Sequence, residues 1–187
     1  MNPIVYLFLA NGFEEIEGLT VVDLLRRAGI SIITVSIEKE LYVTGAHDII
    51  IKADKLFYDL DYQDGQLLVL PGGMPGTNHL LNHSGLEQLL KEFNKTDKWI
   101  AAICAAPKIL AHKGILEGKK AICYPGVEQE LQGVTIVNKD VVEDGNIITS
   151  RAMGTSIDFS LHLIKRLVGE AQAQKIADSI CYQYYNK

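Results

Sequence analysis

Cysteine is scarce in this chain, tryptophan scarcer, and no charge of one sign is concentrated anywhere. Three cysteines in 187 residues, Cys104, Cys123 and Cys181, are odd in number and too widely separated for a C-x-x-C unit. That spacing speaks against a disulfide framework or a zinc site, so the thiols are expected to be reduced. The net charge of −5 is spread along the sequence, and the only basic pairs are Arg26-Arg27, Lys119-Lys120 and Lys165-Arg166. A stripe that could track a phosphate backbone is missing, and no nucleic-acid contact is expected. The apolar opening IVYLFLA has no basic residues before it and runs straight into NGFEEIE. It reads as a strand rather than a signal segment, which leads us to expect no membrane contact and a cytoplasmic location. With 48% hydrophobic and 22% charged residues, the composition is that of an ordinary globular protein. The length suits one domain over 1–187 that buries its core without metal or disulfides.

What is present is alternation. Short runs rich in Val and Ile, such as PIVYLFLA, SIITVSI and QLLVLPGG, are separated by helical patterns such as GLTVVDLLRRAG, which ends at Gly29. Continuous apolar strands joined by helices indicate βαβ units and a parallel sheet buried on both faces. In SGLEQLLKEFNK, Ser84 and Glu87 have capping-box spacing, and Leu86, Leu89, Leu90 and Phe93 share a face. KWIAAI is the next strand, followed by a short helix to about His112, a strand KAICYPG and a hairpin turning at Asp144-Gly145. Thr155 and Asp158 resemble a second cap, and EAQAQKIADSICYQYY reads as the last helix. The expected fold is an αβα sandwich with a mainly parallel sheet and added antiparallel strands.

In such a sheet, reacting groups collect at the carboxyl ends of the strands. Three strand ends qualify, those followed by NGFEEIE, PGGMPG and CAAP. Ala102-Ile103-Cys104-Ala105-Ala106 follows the plan of the hydrolase nucleophile elbow: small, any, nucleophile, any, small. The small flanks are needed because backbone passes close on both sides of a tight turn. Pro107 suits a first helical turn. A thiol at a helix start is expected to be favoured as thiolate by the helix dipole. The N–H groups of Ala105 and of the Gly72-Gly73 turn are candidates to line a pocket for a developing oxyanion. Glu14, Glu15 and Glu17 lie where the first strand meets its helix, and acids there complement the dipole. One of them, facing a thiolate in a dehydrated pocket, would keep its proton and donate it in a hydrogen bond to sulfur, but the residues alone do not choose among the three.

NGFEEIE, VLPGGMPG, AAICAAPKILA and TSRAMGTSIDF occur in an order and at spacings that resemble the ThiJ/PfpI superfamily, in its branch with the Parkinson-associated deglycase and bacterial YajL-type proteins. The resemblance covers essentially the whole chain. It implies a flavodoxin-like sandwich and a homodimer with no cofactor. It further implies that Cys104 is the oxidisable nucleophile, that Glu17 is the protonated acid beside it, and that Gly73 and Ala105 supply backbone N–H groups to the sulfur. Glu14 and Arg27 are placed by it near the pocket or the subunit boundary. The implied activities are a cofactor-independent glyoxalase or deglycase acting on small carbonyl compounds or glycated groups, or redox sensing and chaperoning through oxidation of Cys104. Two positions depart from the family pattern. Where the human-type branch has a histidine before the proline of the strand after the elbow, this chain has Tyr124, and a phenol does not shuttle protons at neutral pH as an imidazole does. Protease-like members carry His directly after the cysteine, whereas Ala105 stands here, which disfavours a peptidase.

The remaining histidines give weaker signals. His79 and His83 are four apart, but Ser84 reads as a cap, so a helix is expected only after them and a metal pair is not. His47 precedes the III run near the family's pocket edge and either borders the site or ends a strand. PGGMPG lacks the spacing of a nucleotide fingerprint.

Overall fold

A computed structural model describes residues 3–185; the single domain expected over 1–187 thus extends at each end beyond the described residues. The chain runs β1 (Ile4–Leu9), α1 (Glu15–Arg27), β2 (Ser31–Ser36), β3 (Tyr42–Thr44), β4 (Ile50–Lys52), β5 (Lys55–Leu56) and β6 (Gly65–Leu70). Then come α2 (Gly76–Asn82), α3 (Ser84–Lys95), β7 (Trp99–Ile103), α4 (Pro107–His112), β8 (Lys120–Ala121) and β9 (Thr135–Ile136). The hairpin β10 (Val141–Asp144) and β11 (Ile147–Ser150) precedes α5 (Ser156–Val168) and α6 (Glu170–Ser179). Seven strands form one sheet in the order β10-β11-β7-β6-β1-β2-β5, parallel except for the β10–β11 pair. This is the flavodoxin-like αβα sandwich.

Strand β1 shows why the runs are continuously apolar. Val5, Leu7 and Leu9 enter one core with Val21 and Leu25 of α1 and Phe159 and Ile164 of α5. Tyr6 and Phe8 enter the other with Leu86, Leu90 and Phe93 of α3 and Ile109 and Leu110 of α4. Successive side chains point to opposite faces and each face is covered by helices, so both phases of the strand must be hydrophobic. Each such side chain contributes roughly 1.5–3 kcal/mol on burial. Among the described residues, no helix is long and apolar enough to cross a membrane.

Several boundaries differ from the sequence reading. Helix α1 starts at Glu15 rather than near Gly18, bringing two of the three acids into its first turn. A short helix, α2, occupies residues expected to be loop, and α3 is capped not by Ser84 but by His83, whose Nδ1 accepts the Leu86 N–H at 3.0 Å. The Thr155 hydroxyl is engaged by Ser150 and Ala152 upstream, so no capping box forms with Asp158, which accepts from the Tyr182 hydroxyl instead. The strand expected over KAICYPG is only Lys120–Ala121, and α6 stops at Ser179, before the tyrosines.

Candidate active site

The sheet order sets β7, β6 and β1 side by side, so the loops after these three strands share one edge. Between β1 and β6 the chain order reverses direction across the sheet, and at such a switch point the loops diverge and leave a crevice. Here the crevice is laced by backbone: Glu14 N–H donates to Gly72 O at 2.9 Å and Gly76 N–H to Gly12 O at 3.2 Å. Close approach demands glycine. A Cβ on Gly73, whose φ is +92°, would lie 2.2 Å from Glu14 N. Gly73→Ala is therefore expected to destabilise the protein by about 3 kcal/mol, measurable as a lowered urea midpoint. A Cβ on Gly72 would come within 2.7 Å of both Cys104 Cβ and Glu17 Oε2, which shows how tightly this turn lies against the two side chains.

Cys104 follows β7 directly and has φ +64°, the left-handed region that side-chain-bearing residues avoid. Holding it there costs on the order of 1–3 kcal/mol. Its N–H donates to Ser150 O at 3.0 Å and its carbonyl accepts from Tyr124 N–H at 2.8 Å, so neighbouring segments fix the turn from both sides. Ala102 and Ala106 are fully buried and Ala105 nearly so, as the small flanks required. The N–H groups of Ala105 and Gly73 both hydrogen-bond toward the sulfur and favour thiolate.

Glu17 is 1% exposed. Its Oε2 accepts the Gly72 N–H at 2.8 Å, while Oε1 is buried with no hydrogen-bond partner among the described residues. Burial pushes this carboxyl up to about 7, against the opposing influence of Cys104 and the Gly72 N–H. The thiol does not behave as the helix-dipole argument expected. Burial, and then the Glu17 carboxylate beside it, push Cys104 up, and the six-residue α4 is too short to reverse this. These two effects describe one coupled pair. Both groups cannot ionise together, so when the Glu17 carboxyl is ionised the thiol holds its proton. In the form with the proton on Glu17, the carboxyl can donate to the sulfur with which it interacts.

The other two acids have different tasks. Glu15 is buried but satisfied: its oxygens accept from His47 N at 2.8 Å and contact His47 Nδ1 at 2.9 Å, clamping the turn between β3 and β4 to α1. Burial alone would raise this carboxyl, but the hydrogen bonds from His47 and the backbone outweigh it and hold it below the usual range. Glu14, the residue before α1, lines the cavity beside Cys104, with His47 Nδ1 at 3.7 Å from its Oε2. Glu14, Glu15 and His47 thus place three possible metal ligands within 4.8 Å of one another, but the Glu15 oxygens are already occupied by the clamp.

The cavity at Cys104 measures about 410 Å³ and is lined by Glu14, Gly73, Met74, Ala105, Lys108, Tyr124, Val127 and Glu130 as well. Of the residues singled out from sequence, Cys104, Glu17, Gly72, Gly73, Ala105, Glu14 and Tyr124 converge here. Tyr124 is half exposed. His47 reaches the site only through Glu14 and Glu15. Arg27 does not reach it: ten residues beyond Glu17, about 15 Å along the helix, it pairs with Asp23 at 2.6 Å on the surface. His79 lies on α2 and His83 caps α3, so they form no metal pair. Lys108 and Glu130 were not anticipated, although a lysine in the apolar PKILA run was a visible irregularity. A larger concavity of about 760 Å³ lies between β10, α5 and the C-terminal tyrosines. Its charges are paired with one another or with adjoining acids, Arg151 with Asp140, His162 with Glu143 and Lys165 with Glu170.

Comparison with known proteins bears on the family and the fold. Residues 4–166 match the DJ-1/PfpI family. The chain is 37% identical over 171 residues to Protein DJ-1 homolog B of Arabidopsis thaliana, which covers 90% of this chain but only 39% of that protein, so the chain spans about two-fifths of that relative's length. It is 34% identical over 164 residues to Deglycase PfpI of Pyrococcus furiosus, covering 86% of this chain and 98% of that one. Among solved structures, Drosophila melanogaster DJ-1beta superposes with a TM-score of 0.95 at 34% identity, covering 98% of this chain and 100% of that one. The chain belongs to the DJ-1/PfpI family.

Proposed function

We propose that this protein is a cofactor-independent, cysteine-nucleophile enzyme acting on α-oxoaldehydes, of the glyoxalase or deglycase type. The observation that carries this reading is the buried Glu17 carboxyl in direct interaction with a thiol that is held in a strained turn and faced by two backbone N–H groups. Attack of the Cys104 thiolate on the aldehyde carbon of methylglyoxal forms the C–S bond and turns the carbonyl pair into an alkoxide within reach of the Gly73 and Ala105 N–H groups. The Glu17 proton neutralises that alkoxide. Its carboxylate then takes the proton from the hemithioacetal carbon and returns it to the adjacent carbon, while the hydroxyl proton passes to the neighbouring oxygen, giving the thioester of a 2-hydroxy acid. Water releases lactate and restores the thiol. One carbon is oxidised and its neighbour reduced, so the sum is methylglyoxal plus water giving lactate and a proton, and no outside oxidant enters. The same attack on a glycated amine or thiol adduct would be a deglycase reaction, and the 34% identity to a named deglycase supports it.

The test is product identity. Purified protein with methylglyoxal is expected to yield one lactate enantiomer in excess; racemic lactate at the spontaneous rate would contradict the proposal. We also propose that the chain forms the homodimer the family resemblance implies, supported by an apolar groove formed by Leu19 and Leu24 of α1, Ile157 of α5 and Ile180. Sedimentation at micromolar concentration tests this, with a monomer as the contrary result.

A second reading, oxidative sensing, rests on the same donors. Oxygens added to the sulfur by peroxide would be received by the Gly73 and Ala105 N–H groups and the Glu17 proton. Cys181 is exposed, Cys104 only partly so, and Cys123 is buried, with burial pushing its thiol up to about 12. Mass spectrometry after mild peroxide is expected to find oxidation concentrated at Cys104, whereas control by exposure alone would put it on Cys181 first.

A further inference from the structure

Lys108 lines the same cavity as Cys104, on the first turn of α4, and its side chain is only 9% exposed. Taking an ammonium out of water costs several kcal/mol unless its three donors are met. The chain shows elsewhere how it meets such a demand: Lys113, more exposed at 17%, donates to Glu87 at 2.6 Å. Lys108 is more deeply buried and less well met. Its ion-pair partner is Glu130 Oε1 at 3.5 Å, well beyond a charge-assisted hydrogen bond, on a residue 43% exposed whose other oxygen lies 3.4 Å from His112 Nε2. The cavity's remaining charge, Glu14, has His47 beside it. A buried cation with an exposed, shared and distant counter-ion, opening onto the cavity of the reactive thiol, has donors left for a ligand.

We infer that Lys108 makes the Cys104 pocket selective for anionic carbonyl compounds, so that the preferred α-oxoaldehyde carries a carboxylate. The substrate class rests on the proposed α-oxoaldehyde chemistry; the anion site does not. The carboxylate binds Lys108 in place of Glu130, which keeps His112 and its access to water. The reaction is balanced as for methylglyoxal: the dicarbonyl takes up water and leaves as the 2-hydroxy acid, with the added carboxylate unchanged.

Two pairs of probes test the site and the substrate class separately. Alkylation of Cys104 by iodoacetate and by iodoacetamide compares an anion with a neutral reagent of nearly the same shape and needs no turnover. Lys108→Met is expected to lower the iodoacetate-to-iodoacetamide rate ratio about 10- to 100-fold, the worth of one hydrogen bond to a charged group. Lys108→Arg should keep most of the ratio, and Glu130→Gln should raise it by removing the competing carboxylate. A structural lysine would give the same ratio in all four proteins, and that result overturns the inference. If Lys108→Met fails to fold, the rise expected in Glu130→Gln carries the test, and a Glu130→Gln ratio at or below wild type is then the contrary result. In the second pair, kcat/KM for 4,5-dioxopentanoate is expected to exceed that for methylglyoxal, by a factor that falls in parallel in Lys108→Met. Equal use of the two aldehydes, unaffected by Lys108→Met, overturns the substrate class. A Lys108-dependent alkylation ratio with no product from either aldehyde upholds the anion site and defeats the proposed function.

Discussion

Replacing Cys104 by serine is expected to lower methylglyoxal turnover at least about 1,000-fold while leaving the fold intact. The hydroxyl occupies nearly the same volume, so the strained turn, with its bonds to Ser150 O and Tyr124 N, has no steric reason to change. What changes is the acid. Glu17 is pushed up to about 7, which couples it to a thiol but not to an aliphatic hydroxyl, which is far less acidic. The variant should therefore keep its circular dichroism spectrum and lose its product. Retention of more than a tenth of the activity would place the chemistry elsewhere.

The second large effect is on stability, and it runs opposite to the usual carboxylate trend. Glu17 is raised from 4.5 to about 7 in the folded protein. Between these values the native state holds a proton that the unfolded chain has released, so stability is greatest below 4.5 and declines as pH rises through 7. The interval of about 2.5 units corresponds to roughly 3 kcal/mol. In Glu17→Gln the carboxamide keeps an acceptor for the Gly72 N–H but has nothing to ionise. The wild type is expected to lose about 3 kcal/mol relative to this variant between pH 4.5 and 7.5, measured by urea unfolding at each pH. Parallel stability curves would show that Glu17 ionises alike in the folded and the unfolded chain.

The elbow at Cys104 was legible because its requirements are local: small residues beside a nucleophile, at a strand-to-helix junction, leave a pattern within five positions. The parallel sheet was legible for a similar reason, since strands buried on both faces must be apolar in both phases. The choice among Glu14, Glu15 and Glu17 was not open to sequence reasoning based on the residues alone. All three lie at the start of one helix, and successive residues turn by about 100°, so each faces a different neighbour. The neighbours come from β6 and from the β3–β4 turn, dozens of residues away. Caps were misjudged where tertiary partners competed for the side chain, as with Thr155, or where an unusual cap, His83, lay one position ahead of the commonest type. Arg27 was assigned through resemblance, and the length of α1 separates it from the thiol. Lys108 was overlooked because a single lysine in an apolar helix looks like a solvated edge until the loop containing Glu130 covers it.

The claim on which the rest depends is that Glu17 and Cys104 are coupled, each holding the other back from ionising. The most direct measurement is the pH dependence of Cys104 alkylation by iodoacetamide, with mass spectrometry reporting that site alone, in the wild type and Glu17→Gln. The wild-type rate is expected to rise only above the ordinary thiol range, because burial and the Glu17 carboxylate push Cys104 up, and the midpoint is expected to fall in Glu17→Gln, where that carboxylate is gone. A wild-type midpoint at the ordinary thiol position, unchanged by the substitution, would contradict the coupling.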